Sequence, residues 1–189
     1  MYQNGLGVVQ NYAEALRWYR KAADQGDAFA LFNLGGMYFV GKGVVQNYAE
    51  ALRWYRKAAN QGHADAQFNL GGMYSEGRGV VQNNTEALQW YRKAADQGYA
   101  EAQFNLGIMY QNGVGVQQNY SEALRWNRKA ADQDYADAQF NLGFMYQNGL
   151  GAASSTSEAL KWYLKAAGQG HAKSRYAVSV LEGTKKPVH

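Results

Sequence analysis

Tyr12-Ala-Glu-Ala-Leu-Arg-Trp-Tyr-Arg-Lys-Ala-Ala23 decides the fold, because it comes back. It returns unchanged at Tyr48 and with few changes at Asn84, Tyr120 and Thr156. Its tryptophans, Trp18, Trp54, Trp90, Trp126 and Trp162, fall 36 residues apart. Between the copies lies a second block, Phe32-Asn-Leu-Gly-Gly-Met-Tyr38, repeated at Phe68, Phe104 and Phe140. A fixed period of this length means stacked supersecondary units, none of which buries its apolar face alone.

Each unit reads as two helices. In the second, helix B, Ala15, Trp18, Tyr19, Ala22 and Ala23 follow the i, i+3, i+4, i+7, i+8 pattern of one helical stripe. Arg17, Arg20, Lys21 and Asp24 lie outside it. Asn11 with Glu14 makes a capping-box pattern, echoed by Asn47/Glu50, Asn83/Glu86, Asn119/Glu122 and Ser155/Glu158. Gln25-Gly26 closes the helix, since Gly takes the left-handed conformation without strain. Helix A runs from about Ala28 to Phe39 and stops at Gly41-Lys-Gly43, a pattern repeated at Gly77/Gly79, Gly113/Gly115 and Gly149/Gly151. Short helices joined by short turns pack antiparallel.

The stretch from Ala64 to Tyr74, then Gly77-Arg-Gly79-Val80, then Glu86-Ala-Leu-Gln-Trp-Tyr-Arg-Lys-Ala-Ala95 and Gln97-Gly98, resembles the Sel1-like repeat (SLR) family. This is a 36-residue relative of the tetratricopeptide repeat, and the likeness covers essentially the whole chain. It implies an all-α, right-handed superhelical solenoid of antiparallel helix pairs, used as an adaptor or scaffold, mostly in bacteria. The expected organisation is one solenoid domain over 1–183. Its units are 1–26 (partial), 27–62, 63–98, 99–134 and 135–170, followed by a capping helix at 171–183 and a flexible tail at 184–189.

Several residues break the pattern. Met1-Tyr2 align with Met109-Tyr110, so the first unit lacks nearly all of helix A. Its helix B stripe is therefore expected to lie open, with a homodimer through the first unit as one outcome and a missing upstream helix as the other. Asn127 replaces the Tyr beside Trp126, and Asp134 replaces a closing Gly; both are expected weak spots. The last helix carries Lys173, Arg175, Ser179 and Glu182 and reads as a polar cap.

Composition excludes several classes. There is no Cys, hence no disulfide frame, and no apolar run long enough to span a membrane. Met1-Tyr2-Gln3-Asn4-Gly5 has neither the basic start nor the apolar core of a signal peptide, and cytoplasmic is the default expectation. His63 and His171 share a repeat position with Asp27, Tyr99 and Tyr135, which suits a helix-entry residue better than a base or a ligand. No Ser-x-x-Lys, Gly-x-Ser-x-Gly or His-Glu-x-x-His motif occurs, so no catalytic, metal or cofactor residue is assigned. The Gly-x-Gly pairs follow helices and read as turns. Two other functions stay open. One is β-lactam or cell-wall hydrolysis, implied only by the family's cysteine-rich helicobacter members. The other is weak binding of nucleic acid or anionic surfaces by Arg53, Arg56, Lys57, Arg92, Lys93, Arg125, Arg128 and Lys129 on helix B, in a chain of net charge +4. Glu14–Arg17 and Arg20–Asp24 pairing would neutralise part of that stripe. The five Trp are expected in the core.

The leading expectation is a concave groove that binds a protein or peptide. With Leu34 at the centre of helix A's buried side and about 100° per residue, positions 29, 33, 36 and 40 gather opposite. By analogy with tetratricopeptide solenoids, these columns face the ligand. They comprise Asn33, Asn69, Asn105 and Asn141, then Ala177; Gly36, Gly72, Ile108, Phe144 and Val180; Phe29, Asp65, Glu101, Asp137 and Lys173; and Val40, Glu76, Asn112 and Asn148. The Asn amides could bridge an extended backbone, with Ile108 and Phe144 supplying specificity, or each could instead bond a neighbouring helix terminus or a water. Asp65, Glu76, Glu101 and Asp137 would favour a partner segment bearing Lys or Arg.

Overall fold

The computed structural model describes residues 11–183, all of whose regular structure is helical. They fall into two compact units. The first, which ends at Gln97, contains α1 (Tyr12–Asp24), α2 (Ala28–Val40), α3 (Tyr48–Asn60), α4 (Ala64–Glu76) and α5 (Asn84–Asp96). The second, which begins at Gly98, contains α6 (Ala100–Asn112), α7 (Tyr120–Ala131), α8 (Ala136–Asn148), α9 (Thr156–Gly168) and α10 (Ala172–Gly183). Odd-numbered helices are the B type and even-numbered ones the A type. Within each unit every helix packs on the next. The expected tail at 184–189 and the partial helix A at Met1-Tyr2 lie outside the described residues.

The caps form as the sequence predicts, with one difference. Asn11, Asn47, Asn83, Asn119 and Ser155 each accept the backbone N–H of the glutamate three residues on. Several of those glutamates reach forward instead of back: Glu14 meets Arg17, Glu50 meets Arg53, Glu122 meets Arg125 and Glu158 meets Lys161. The A helices end on left-handed glycines, such as Gly77 at φ 70°. The second glycine of the turn serves close approach at Gly43, Gly79 and Gly151. A Cβ on Gly79 would sit 2.8 Å from the Ala49 nitrogen, so the turn lies against the start of the helix two before it.

The core of the first unit is built on Leu34 and Leu70 with Met37 and Met73, and that of the second on Leu106 and Leu142 with Met109 and Met145, each joined by the alanines of both helix types. The glycine of the Asn-Leu-Gly motif is a seat for an aromatic ring. The Tyr55 ring lies against Gly35, that of Tyr91 against Gly71 and that of Tyr163 against Gly143. A Cβ at those glycines would fall 2.5, 2.8 and 2.6 Å from the ring. The same rings also meet Phe32, Phe68 and Phe140 at centroid distances of 5.7, 5.6 and 5.5 Å. At the fourth seat, Gly107, the neighbour is the Asn127 amide. Asn127 is fully buried, and its Oδ1 has no hydrogen-bond partner. Asp134 keeps the left-handed conformation of the glycine it replaces, at φ 60°, and its carboxylate accepts from Gln139 Nε2.

The tryptophans need a correction. Trp90, Trp126 and Trp162 are buried, but Trp54 is half-buried and Trp18 is 52 % exposed. Trp162 shows why, since it packs against Ala130 and Ala131 of α7 as well as Ala138 and Leu142 of α8. Trp162 is thus covered by the preceding helix B together with its own helix A, whereas no described helix precedes α1, which bears Trp18.

Candidate functional site

Two faces could meet a partner. The outer face of the B helices carries the basic residues, and the structure shows them engaged within the protein. Arg17, Arg53 and Arg125 pair with glutamates one turn back. Arg20 Nη2 donates to the Tyr38 hydroxyl at 2.6 Å, and Arg56 and Arg128 do the same to Tyr74 and Tyr146. Arg20 therefore links its helix to the next one, where pairing with Asp24 was expected. Lys57, Lys93, Lys129 and Lys165 lie over the rings of Trp54, Trp90, Trp126 and Trp162, 3.8 to 4.6 Å from the centroids. The stripe is a set of internal ties more than a free cationic surface.

The even-numbered helices present the other face. In the first unit, Phe29 is 61 % exposed, the Asp65 carboxylate is half exposed, and Glu76 pairs with Arg78. Asp65 also lies 3.6 Å from His63 Nδ1, beyond hydrogen-bonding range. Asn33 donates to the carbonyl of Phe29 in its own helix, and the Asn69 amide lies near the Tyr55 hydroxyl. Burial pushes the Tyr55 phenol up to about 12 and outweighs the effect of Asn69, which lowers it.

In the second unit, Glu101 and Ile108 are half-buried, while Asp137 and Phe144 are exposed. Tyr135 lies among the carboxylates. Its phenol is raised first by burial, then by the negative charges of Asp137 and Glu101. Asn105 is half-buried, and Asn141 is buried with Nδ2 donating to Gln111 Oε1 at 2.9 Å. The structure therefore brings each helix's predicted residues to one face, but bonds Asn33 back to its own helix and Asn141 inward to Gln111. The accessible chemistry is the carboxylates and the apolar column.

The histidines are helix-entry residues. His63 precedes α4 and stacks on Phe32 at 4.7 Å; His171 precedes α10 and lies against Phe140 at 4.9 Å. His171 Nδ1 accepts the backbone N–H of Ser174, as the Asp27 carboxylate accepts that of Ala30. Ser174 Oγ, the His171 ring and Asp137 also line up, at 2.9 and 3.2 Å. The order suggests a hydrolytic triad, but Ser174 is fully buried, so no substrate carbonyl can reach its hydroxyl. The geometry is that of a cap on α10, tied to α8 through Asp137.

Sequence reasoning missed a buried glutamine at each inner helix A. Gln67 and Gln139 donate to the carbonyls of Ala59 and Ala131 at the end of the preceding helix B. Gln67, Gln103 and Gln139 accept from Gln97, Gln133 and Gln169, each at 2.8 Å. The recurrence of Gln at the register that Leu31 fills in α2 was the available signal.

The Sel1 repeat family model matches residues 1–27, 28–63, 64–99, 100–135 and 136–171, one residue beyond the unit boundaries read from the sequence. The chain is similar to a Sel1 repeat protein from Oxalobacter formigenes, with a TM-score of 0.85 and 40 % identity over 94 % of this chain and 71 % of that one. It is also similar to c5321, described as a protective antigen of uropathogenic Escherichia coli with an SLR fold. That likeness has a TM-score of 0.57 and 34 % identity over 98 % of this chain and 47 % of the other. Helicobacter pylori cysteine rich protein B matches at a TM-score of 0.54 and 25 % identity, over 68 % of this chain and 92 % of that one. No curated protein matches significantly. The repeat matches, the helix pairs and these relatives together place the chain in the Sel1 repeat family.

Proposed function

We propose that this protein is an interaction scaffold that captures a partner peptide on the exposed faces of its A helices. Sel1 repeat proteins are in general protein-interaction scaffolds, and the fold is typically non-enzymatic. The finer reading rests on one contrast. Basic B-helix side chains are engaged with Glu, Tyr and Trp partners, whereas the A helices keep carboxylates at their surface: Asp65 in the first unit, and in the second Glu101 on the helix of Ile108 and Asp137, shared with His171, on the helix of Phe144. The partner segment this face suits carries Lys or Arg next to an apolar residue, with the charges setting association rate and register. Asn33 and Asn141 then act mainly by holding the face in shape, and Glu76 contributes little because Arg78 offsets it. Trp18 supports a second proposal, self-association through the first unit, because 52 % of its surface is open. Light scattering on the protein and on Trp18→Glu tests that proposal, and a monomer at high concentration rejects it.

The scaffold reading is tested by selecting peptides from a random phage-displayed library on the purified protein. Enrichment of Lys or Arg beside an apolar residue, lost in Asp65→Lys and Glu101→Lys, is the expected result. Enrichment indifferent to both substitutions, or clear nitrocefin turnover without binding, would overturn it.

A further inference from the structure

The A helices of the second unit leave a gap. Between α8 and α10 lies a cleft of about 610 Å³, floored by Phe140 and Tyr163 and walled by Tyr176 and Val180. That volume falls within the range of pockets that hold small ligands. The repeat itself explains the opening. One repeat earlier, Asn141 occupies the corresponding position between α6 and α8, buried and bonded to Gln111. In the first unit Asn69 stands in that register, near the Tyr55 hydroxyl. The residue in register on α10 is Ala177, too short to do either, and the Tyr163 hydroxyl donates to Gln147 instead. Tyr176, in register with the packed Phe140, is 74 % exposed, and Val180 is 42 % exposed.

The charge at the cleft's rim also changes. The column that reads Asp65, Glu101 and Asp137 ends in an exposed Lys173, which lines the cleft. An occupant therefore meets an apolar, aromatic floor and one cation. A further B helix of the usual kind does not suit this place. Its tyrosine needs a glycine seat, and α10 has Ser179 where Gly143 stands, with a Cβ where the ring would lie. An acyl chain is also a poor fit, because exposed walls would leave much of its length in water.

We infer that this cleft seats one bulky apolar side chain of a partner peptide, with a neighbouring carboxylate held by Lys173. The inference deepens the peptide-binding reading and rests on it, adding an anchor of opposite charge preference at one end of the second unit. Along such a peptide, basic residues lie by Glu101 and Asp137, and the anchor with its acid follows.

The test is an amide-shift titration of the intact protein with Ac-Trp-Asp-NH2 as probe. Saturable shifts confined to Phe140–Gln147 and Ala172–Val180, with millimolar affinity, are expected. Ac-Trp-Asn-NH2 should bind about threefold more weakly, since an exposed charge pair contributes only modestly. Ala177→Asn, which restores the repeat's own plug, should abolish the shifts while leaving the rest of the spectrum in place. Val180→Asp, on the rim, should repel the probe without touching the core. Absence of saturable shifts, shifts unchanged in both variants, or binding of decanoate but not of the peptide would overturn the inference. If the probe fails while library-selected basic peptides still bind in an Asp65- and Glu101-dependent way, the cleft alone is refuted. If both fail, the peptide-binding reading falls with it.

Discussion

Asn127→Tyr should stabilise the second unit, and the size of the gain can be worked from the seats around it. Asn127 fills a tyrosine's place with a smaller amide, donates Nδ2 to the Ala123 carbonyl and leaves Oδ1 buried without a partner. An orphaned buried acceptor costs about 1–3 kcal/mol. A ring in the same slot would bury roughly 1.5–3 kcal/mol of apolar surface and meet Phe104 as Tyr163 meets Phe140. The hydroxyl must insert beside the Asn141–Gln111 bond, and repacking returns part of the gain. A net gain of about 2 kcal/mol remains, worth roughly 4–8 °C in midpoint for a chain of this length. Thermal and urea midpoints followed by far-UV circular dichroism are the assay; midpoints are compared because repeat arrays need not unfold in one step. Gly107→Ala supplies the control. In the native background its Cβ crowds the end of the Asn127 side chain, which can turn aside at the cost of its bond to Ala123, whereas beside Tyr55, Tyr91 or Tyr163 a Cβ would sit 2.5 to 2.8 Å from a rigid ring. Gly107→Ala should therefore be mild alone and erase the gain in Asn127→Tyr. A lowered midpoint for Asn127→Tyr, or equal Gly107→Ala costs in both backgrounds, would refute the ring-on-glycine account.

Three further outcomes follow from the same geometry. Asp134→Gly should gain up to about 1 kcal/mol by relieving a positive φ, because Gln139 keeps its bond to Ala131; a loss in urea midpoint would show that the Asp134–Gln139 contact matters more. Gln139→Leu should cost about 2 kcal/mol by stranding the Ala131 carbonyl and the Gln169 amide, although Leu31 stands at that register in α2; a neutral result would mean that water replaces both bonds. Burial raises the Tyr55 and Tyr163 phenols to about 12, so the folded state holds protons that the unfolded chain releases from about pH 10. Stability is intact below pH 10 and falls as pH rises towards 12, and Tyr163→Phe should soften that fall in urea midpoints; an unchanged alkaline profile would argue against the burial.

What could be read from the sequence was what repeats along one helix. The stripe at Ala15, Trp18 and Ala22, the Asn11 cap and the Gly41 stop each depend on neighbours within a few positions. The unreadable part depends on partners in another helix. Arg20 lies eighteen residues from Tyr38, and no local rule prefers that hydroxyl to Asp24. Gly35 looks like a helix weakener until the Tyr55 ring is placed on it. Trp18 carries the same stripe as Trp162 and differs only in what precedes it. For the candidate site, periodicity gave the face that Asn33, Asp65 and Phe144 share. It could not show that Asn141 turns inward to Gln111, nor that Ala177 opens a cleft by failing to do so.

The central claim is that the A-helix face, not the B-helix face, receives the partner. Amide-shift mapping with a library-selected peptide decides it most directly. The account predicts perturbations around Asp65, Glu101, Ile108 and Phe144, with the helix B residues Lys57, Lys93 and Lys129 unmoved. Perturbations centred on those lysines and their tryptophans, with the even-numbered helices silent, would contradict it.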